Sequence, residues 1–132
     1  ALRSAGVSVF QSGGQGENII PAKEYYDIFR RSKISLNFAS PGKMKGRSTE
    51  VIMCGALLIE PDHSAFAKSF LPGEDIVVFE NSLDLLDKVK FYLTHDTERE
   101  EIIRKCYTKT VRLFNAERLW TNTFISLGVL KK

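Results

Sequence analysis

The apolar run Val51-Ile52-Met53-Cys54-Gly55-Ala56-Leu57-Leu58-Ile59 constrains this chain more than any other segment. Gly55 divides it into two pieces of different character. The first continues from Lys45-Gly46-Arg47-Ser48-Thr49-Glu50 and reads as a helix from about Ser48 to Cys54, with a carboxylate in its first turn. A glycine just past the last helical residue is a common stop, because it enters the left-handed conformation without strain. The second piece, Ala56 to Glu60, is apolar up to its last residue. That is the pattern of a strand buried on both faces.

The same alternation runs through the rest of the chain. Val7-Ser8-Val9-Phe10 is a short β-rich run, followed by a loop with Gly13, Gly14 and Gly16. Pro21 opens a helix that carries Tyr25, Ile28 and Phe29 on one face. Ile34 to Ala39 reads as a second strand, Ala56 to Glu60 as a third and Ile76 to Phe79 as a fourth, with a short helix near Ser64 to Phe70 between the last two. Asn81 or Ser82 caps a helix with Leu83, Leu86, Val89 and Leu93 inward. Thr97-Glu98-Arg99-Glu100 has the form of a capping box for the next helix, with Ile103, Tyr107 and Phe114 inward. A last helix from Glu117 to Leu127 carries Leu119, Trp120 and Phe124. Strands alternating with helices imply an α/β fold: a Rossmann-like parallel sheet covered by helices on both faces.

At 132 residues the chain is one domain with room for a core. A net charge of +3 with scattered Lys and Arg argues against a nucleic-acid face. Cys54 and Cys106 form no CxxC pair, and with two His they show no zinc-ligand spacing. Cys54 in an apolar run suits a reducing compartment, so a cytoplasmic location is expected. No stretch is long enough to span a bilayer. The opening Ala1-Leu2-Arg3-Ser4-Ala5-Gly6 reads like the last turn of a helix, so residues 1–132 are expected to be a single domain cut from a longer polypeptide. Such a cut would leave a sheet edge open to self-association.

In parallel α/β sheets ligands sit at the carboxyl ends of strands. That edge collects Gly13-Gly14-Gln15-Gly16, Asn37 with 40–47, and Glu60-Pro61-Asp62-His63. The glycine cluster lacks both the P-loop and the GxGxxG spacing and is a turn or a crevice lining. Lys43, Lys45 and Arg47 before a helix suit either a solvated loop or a diphosphate clamp. The loop favours the clamp by its place in the sheet, with glycine admitting the ligand and helix N–H groups facing it. Glu50 would repel phosphate but would accept hydrogen bonds from ribose hydroxyls. It also has a ligand-free reading, since an acid in a first turn gains about 0.3–1 kcal/mol from the helix dipole. Asp62 and His63 are either a base with its orienter or surface polar groups. If the clamp reading holds, the candidate site for a nucleotide with its attached sugar is Lys45, Gly46, Arg47, Ser48, Thr49 and Glu50, with Gly14, Asn37, Asp62 and His63 as candidate crevice residues. No metal and no cofactor beyond that bound nucleotide is expected.

Several of these blocks have a familiar form. Tyr25 to Phe38 and Lys45-Gly46-Arg47-Ser48-Thr49-Glu50-Val51-Ile52-Met53-Cys54-Gly55-Ala56-Leu57-Leu58 resemble the C-terminal domain of group 1 glycosyltransferases. Leu71-Pro72-Gly73-Glu74-Asp75 through Phe79 and the helix after it extend the likeness, which is strongest to the spore-maturation-type glycosyltransferase-like branch. The resemblance implies the C-terminal half of a GT-B fold, here without its first strand, whose N-terminal Rossmann-like partner supplies the acceptor pocket and the general base. On that likeness the fragment alone transfers nothing. By the same likeness Glu50 binds donor ribose hydroxyls, and Arg47 with the amides of Ser48 and Thr49 lies near the diphosphate. Gly42 stands where many members carry a second Glu, so no catalytic residue is carried over to this loop. A non-catalytic binding or assembly module with the same fold is the alternative.

Overall fold

A computed structural model describes residues 2–11 and 20–130 of the chain. Pro21 precedes α1 (Ala22–Arg31), where its missing N–H costs nothing. Ser32 closes the helix, its hydroxyl donating to the Ile28 carbonyl at 2.7 Å. Three strands follow in chain order, β1 (Ile34–Leu36), β2 (Leu57–Pro61) and β3 (Val77–Phe79), and all pair in parallel with β2 in the middle. Between β1 and β2 runs α2 (Gly46–Met53). After β3 come α3 (Ser82–Thr94), α4 (Asp96–Leu113) and α5 (Ala116–Ser126).

Strand register decides which side chains meet. Ile34 pairs with Leu57, and Leu36 with Ile59, which pairs in turn with Val77. These residues share one face, where Leu85 and Val89 of α3 and Ile102 of α4 cover them. Leu58 and Val78 point the other way, to Val51 and Ile52 of α2, Phe66, Phe70, Ile76 and Cys106. Every residue of β2 is buried, which suits the apolar run Leu57-Leu58-Ile59 and leaves Glu60 as the one charged side chain in the strand. The α/β sheet with helices on both faces is as the sequence implies.

Local details differ. Val7 to Phe10 joins no ladder: Val7 packs into the α3-side core, but the Val9 carbonyl is taken by the Arg3 guanidinium at 3.3 Å, and Phe10 is exposed. The described sheet thus has three strands where the sequence suggests four. Residues 3–5 form a single 3-10 turn, and another at Ala67–Ser69 replaces the helix expected from Ser64 to Phe70. No capping box forms at Thr97. His95 ends α3 and starts α4 at once, which puts Thr97 inside the helix, and Asp96 pairs with Arg99 and Lys33. The buried face of α4 is accordingly Arg99, Ile102, Cys106 and Thr110, with Tyr107 outside. Phe114 still stacks on Phe66, ring centroids 5.5 Å apart. On α3 Leu85 is buried and Leu83 is exposed, because Asn81 caps the helix through the Leu83 and Asp84 N–H groups and turns Leu83 toward solvent.

Candidate functional site

The carboxyl ends of β1 and β2 carry two loops that are tied together. Gly42 N–H donates to the His63 carbonyl at 3.3 Å, and Ala65 N–H donates to the Lys43 carbonyl at 3.3 Å. His63 Nε2 lies 3.1 Å from the Ala39 carbonyl, and the Lys45 ammonium donates to the Phe38 carbonyl at 2.7 Å. The backbone that leads into α2 is therefore fixed from both sides. Gly42 turns the chain at φ 69°, a left-handed conformation in which a side chain is strained. This accounts physically for glycine at position 42.

Helix α2 begins at Gly46, two residues before the expected Ser48. Lys45 is its N-cap, in an extended conformation and with no side-chain cap bond. The N–H groups of Gly46 and Arg47 have no hydrogen-bond partner among the described residues, and both residues are exposed. The earlier start moves Glu50 out of the first turn and into the second. A dipole interaction falls off within one turn, so the ligand-free reading of Glu50 loses most of its force. Glu50 has instead a partner the sequence did not suggest: the Tyr25 hydroxyl of α1 donates to Glu50 Oε2 at 2.7 Å. Burial and this bond raise the Tyr25 phenol above its usual pKa of 10.0, while the neighbouring Arg47 guanidinium pulls the other way.

Beneath the start of α2 lies a buried polar group. Asn37 is 1 % exposed, and Ser48 and Glu60 are fully buried. Asn37 Nδ2 donates to Ser48 Oγ and to Glu60 Oε1, each at 2.8 Å, and the Ser48 hydroxyl donates to Glu60 Oε1. Among the described residues Glu60 Oε2 and Asn37 Oδ1 have no hydrogen-bond partner. Asn37 thus lies under the edge and does not line its surface. Ser48 faces inward, pinning the first turn of α2 to β2, while Thr49 donates to the Gly46 carbonyl at 2.7 Å.

The remaining candidates separate. Lys43 and Arg47 are exposed, and the Lys45 head group is engaged by its own loop. Asp62 Oδ1 sits 3.3 Å from His63 Nδ1, so both ring nitrogens of His63 face protein oxygens, which does not suit a base aimed at substrate. Gly14 lies outside the described residues. Among the described residues no group of three His, Cys, Asp or Glu could hold a metal ion, and no helix is long and apolar enough to cross a membrane. The structure brings Gly46, Arg47 and Glu50 together and adds Tyr25. The signal for Tyr25 was its polar tip on an otherwise apolar helix face.

A three-stranded parallel sheet with helices on both faces defines an α/β domain of Rossmann-like type. Residues 3–124 match the family described as Glycosyl transferase-like, and the chain belongs to that family. No curated protein matches it.

Proposed function

We propose that the chain is the donor-binding domain of a glycosyltransferase, holding a nucleotide-diphosphate sugar whose sugar moves to an acceptor in the full-length protein. The observation that carries this reading is the start of α2. Two N–H groups without a partner among the described residues and the exposed Arg47 offer a cationic, donor-rich helix end, and one turn on Glu50 presents a carboxylate. A diphosphate suits the first, and sugar hydroxyls suit the second. As the bond to the sugar breaks, negative charge grows on the diphosphate, and donors already in place stabilise it without reorganising. A binding or assembly module without turnover is favoured by one feature, the left-handed turn at Gly42, which disfavours a side chain there and leaves this loop without a carboxylate.

Thermal-shift measurements with UDP, GDP, ADP and CMP select the base; a ligand at a hundred times its Kd stabilises by about 2.7 kcal/mol. Calorimetric titration of Glu50→Gln and Arg47→Ala then tests the assignment. Glu50→Gln is expected to weaken nucleoside and diphosphate alike, by about 1–3 kcal/mol. Arg47→Ala is expected to weaken only the diphosphate, and less so as salt rises. Parental binding by both variants refutes the assignment.

A further inference from the structure

The carboxylate of Glu50 is the most adjustable group in the candidate site. Its side chain is half-buried with three rotatable bonds, and α2 alone does not hold it in one orientation. Tyr25 supplies what α2 lacks. Its ring is packed edge-on against Phe29, centroids 4.7 Å apart at 74°, and against Tyr26, 5.3 Å apart at 75°. A tyrosine fixed in this way has one proton to give, and it goes to Glu50 Oε2 at 2.7 Å. A carboxylate offers about four acceptor positions, so the phenol takes one and leaves Oε1 and the rest of Oε2 for a ligand. The bond spans two helices separated by β1, so it joins elements that nothing local in sequence would align.

We propose that Tyr25 is a positioning residue: it aims the Glu50 carboxylate at the hydroxyls of a nucleotide-borne sugar while Arg47, beside the same phenol, faces the phosphates. This rests on the donor-binding reading above. The alternative is a tie that only holds α1 against α2. The two roles differ in what the hydroxyl alone controls, because phenylalanine keeps the ring packing.

The test is calorimetric titration of the parent chain and Tyr25→Phe with uridine, UDP and inorganic pyrophosphate (or the matching nucleoside and diphosphate of whichever base the thermal-shift panel selects). Positioning predicts that Tyr25→Phe loses about 2- to 10-fold in affinity for nucleoside and diphosphate alike, the worth of one hydrogen bond, with pyrophosphate unchanged. In the Glu50→Gln background the same change adds little, since the two residues then act as one unit. Independently of any ligand, ultraviolet titration should find the parental Tyr25 phenol ionising above the usual value of 10.0, and Glu50→Gln should lower it. Parental affinity in Tyr25→Phe overturns the proposal and leaves the donor reading intact. An equal loss for pyrophosphate, or additive losses with Glu50→Gln, also overturns it in favour of a structural tie. A parent chain that binds none of the nucleotides overturns the donor reading, and this proposal with it.

Discussion

Replacing Ser48 by alanine removes a hydroxyl that is 0 % exposed and makes two bonds, one to Glu60 Oε1 and one from Asn37 Nδ2 at 2.8 Å. After the change each partner keeps one contact, because Asn37 Nδ2 still donates to Glu60 Oε1 at 2.8 Å. The loss is then one hydrogen bond between neutral groups and one to a carboxyl group, with no new orphan beyond the two already present. These sum to about 2–3 kcal/mol. For a domain of this size that lowers the Tm by about 6–12 °C. Urea denaturation is the assay, read as a fall in midpoint at constant m. Thr49→Ala is the control: its hydroxyl bonds only the Gly46 carbonyl in the same exposed turn, and its loss should stay under about 0.5 kcal/mol. A Ser48→Ala variant as stable as Thr49→Ala would refute the view that this buried network anchors α2 to β2.

Three further outcomes are expected. Gly55→Ala should cost about 1–2 kcal/mol in urea denaturation, all of it from the backbone, because Gly55 has φ 81° and an added Cβ meets nothing within 4 Å. Cys54, half-buried, should react with a thiol reagent in the native protein, whereas Cys106, buried and with its thiol pushed up to about 12, should react only on unfolding. Asp84 is held below the usual carboxylate range by its hydrogen bond to Lys88 and by the Glu80 N–H, so its stabilising effect is present above the unfolded pKa and is lost as pH falls through the folded one. Acid titration of stability below about pH 4 should accordingly be shallower in Lys88→Met than in the parent.

Where apolar runs met glycine or asparagine, the sequence was a reliable guide. β2, β3, the end of α2 at Gly55 and the start of α3 at Asn81 all lie close to their expected places. The start of α2 was harder to see. Ser48 is a good N-cap residue by type, yet its hydroxyl is bound to Glu60, and the true N-cap, Lys45, contributes no side-chain bond. Thr97 misled for a related reason, since the single residue between α3 and α4 sets where α4 begins. Of the candidate site, the sequence places Arg47 and Glu50 at the start of an apolar helix, and α2 holds both in its first two turns. Their environment was not legible in the sequence. Tyr25 reaches Glu50 across 25 positions and Glu60 reaches Asn37 across 23, and no local pattern records such pairings.

The two helices that meet at Glu50 differ in how firmly they are held, and this sets a hierarchy of opening. α2 buries Ser48, Val51 and Ile52 and is bonded to the central strand, whereas α1 has no buried residue. Segments with few buried contacts open at a small fraction of the global unfolding free energy. Amide protons of β2 should therefore exchange with solvent only when the whole domain unfolds, while those of α1 exchange through separate excursions. Each such excursion takes Tyr25 away from Glu50 and leaves the carboxylate on a rigid base without its guide. A ligand that needs the guided carboxylate binds only the closed form, and it slows α1 exchange by the factor its own concentration dictates. A weakly held helix is thus one whose protection would report occupancy of the proposed site.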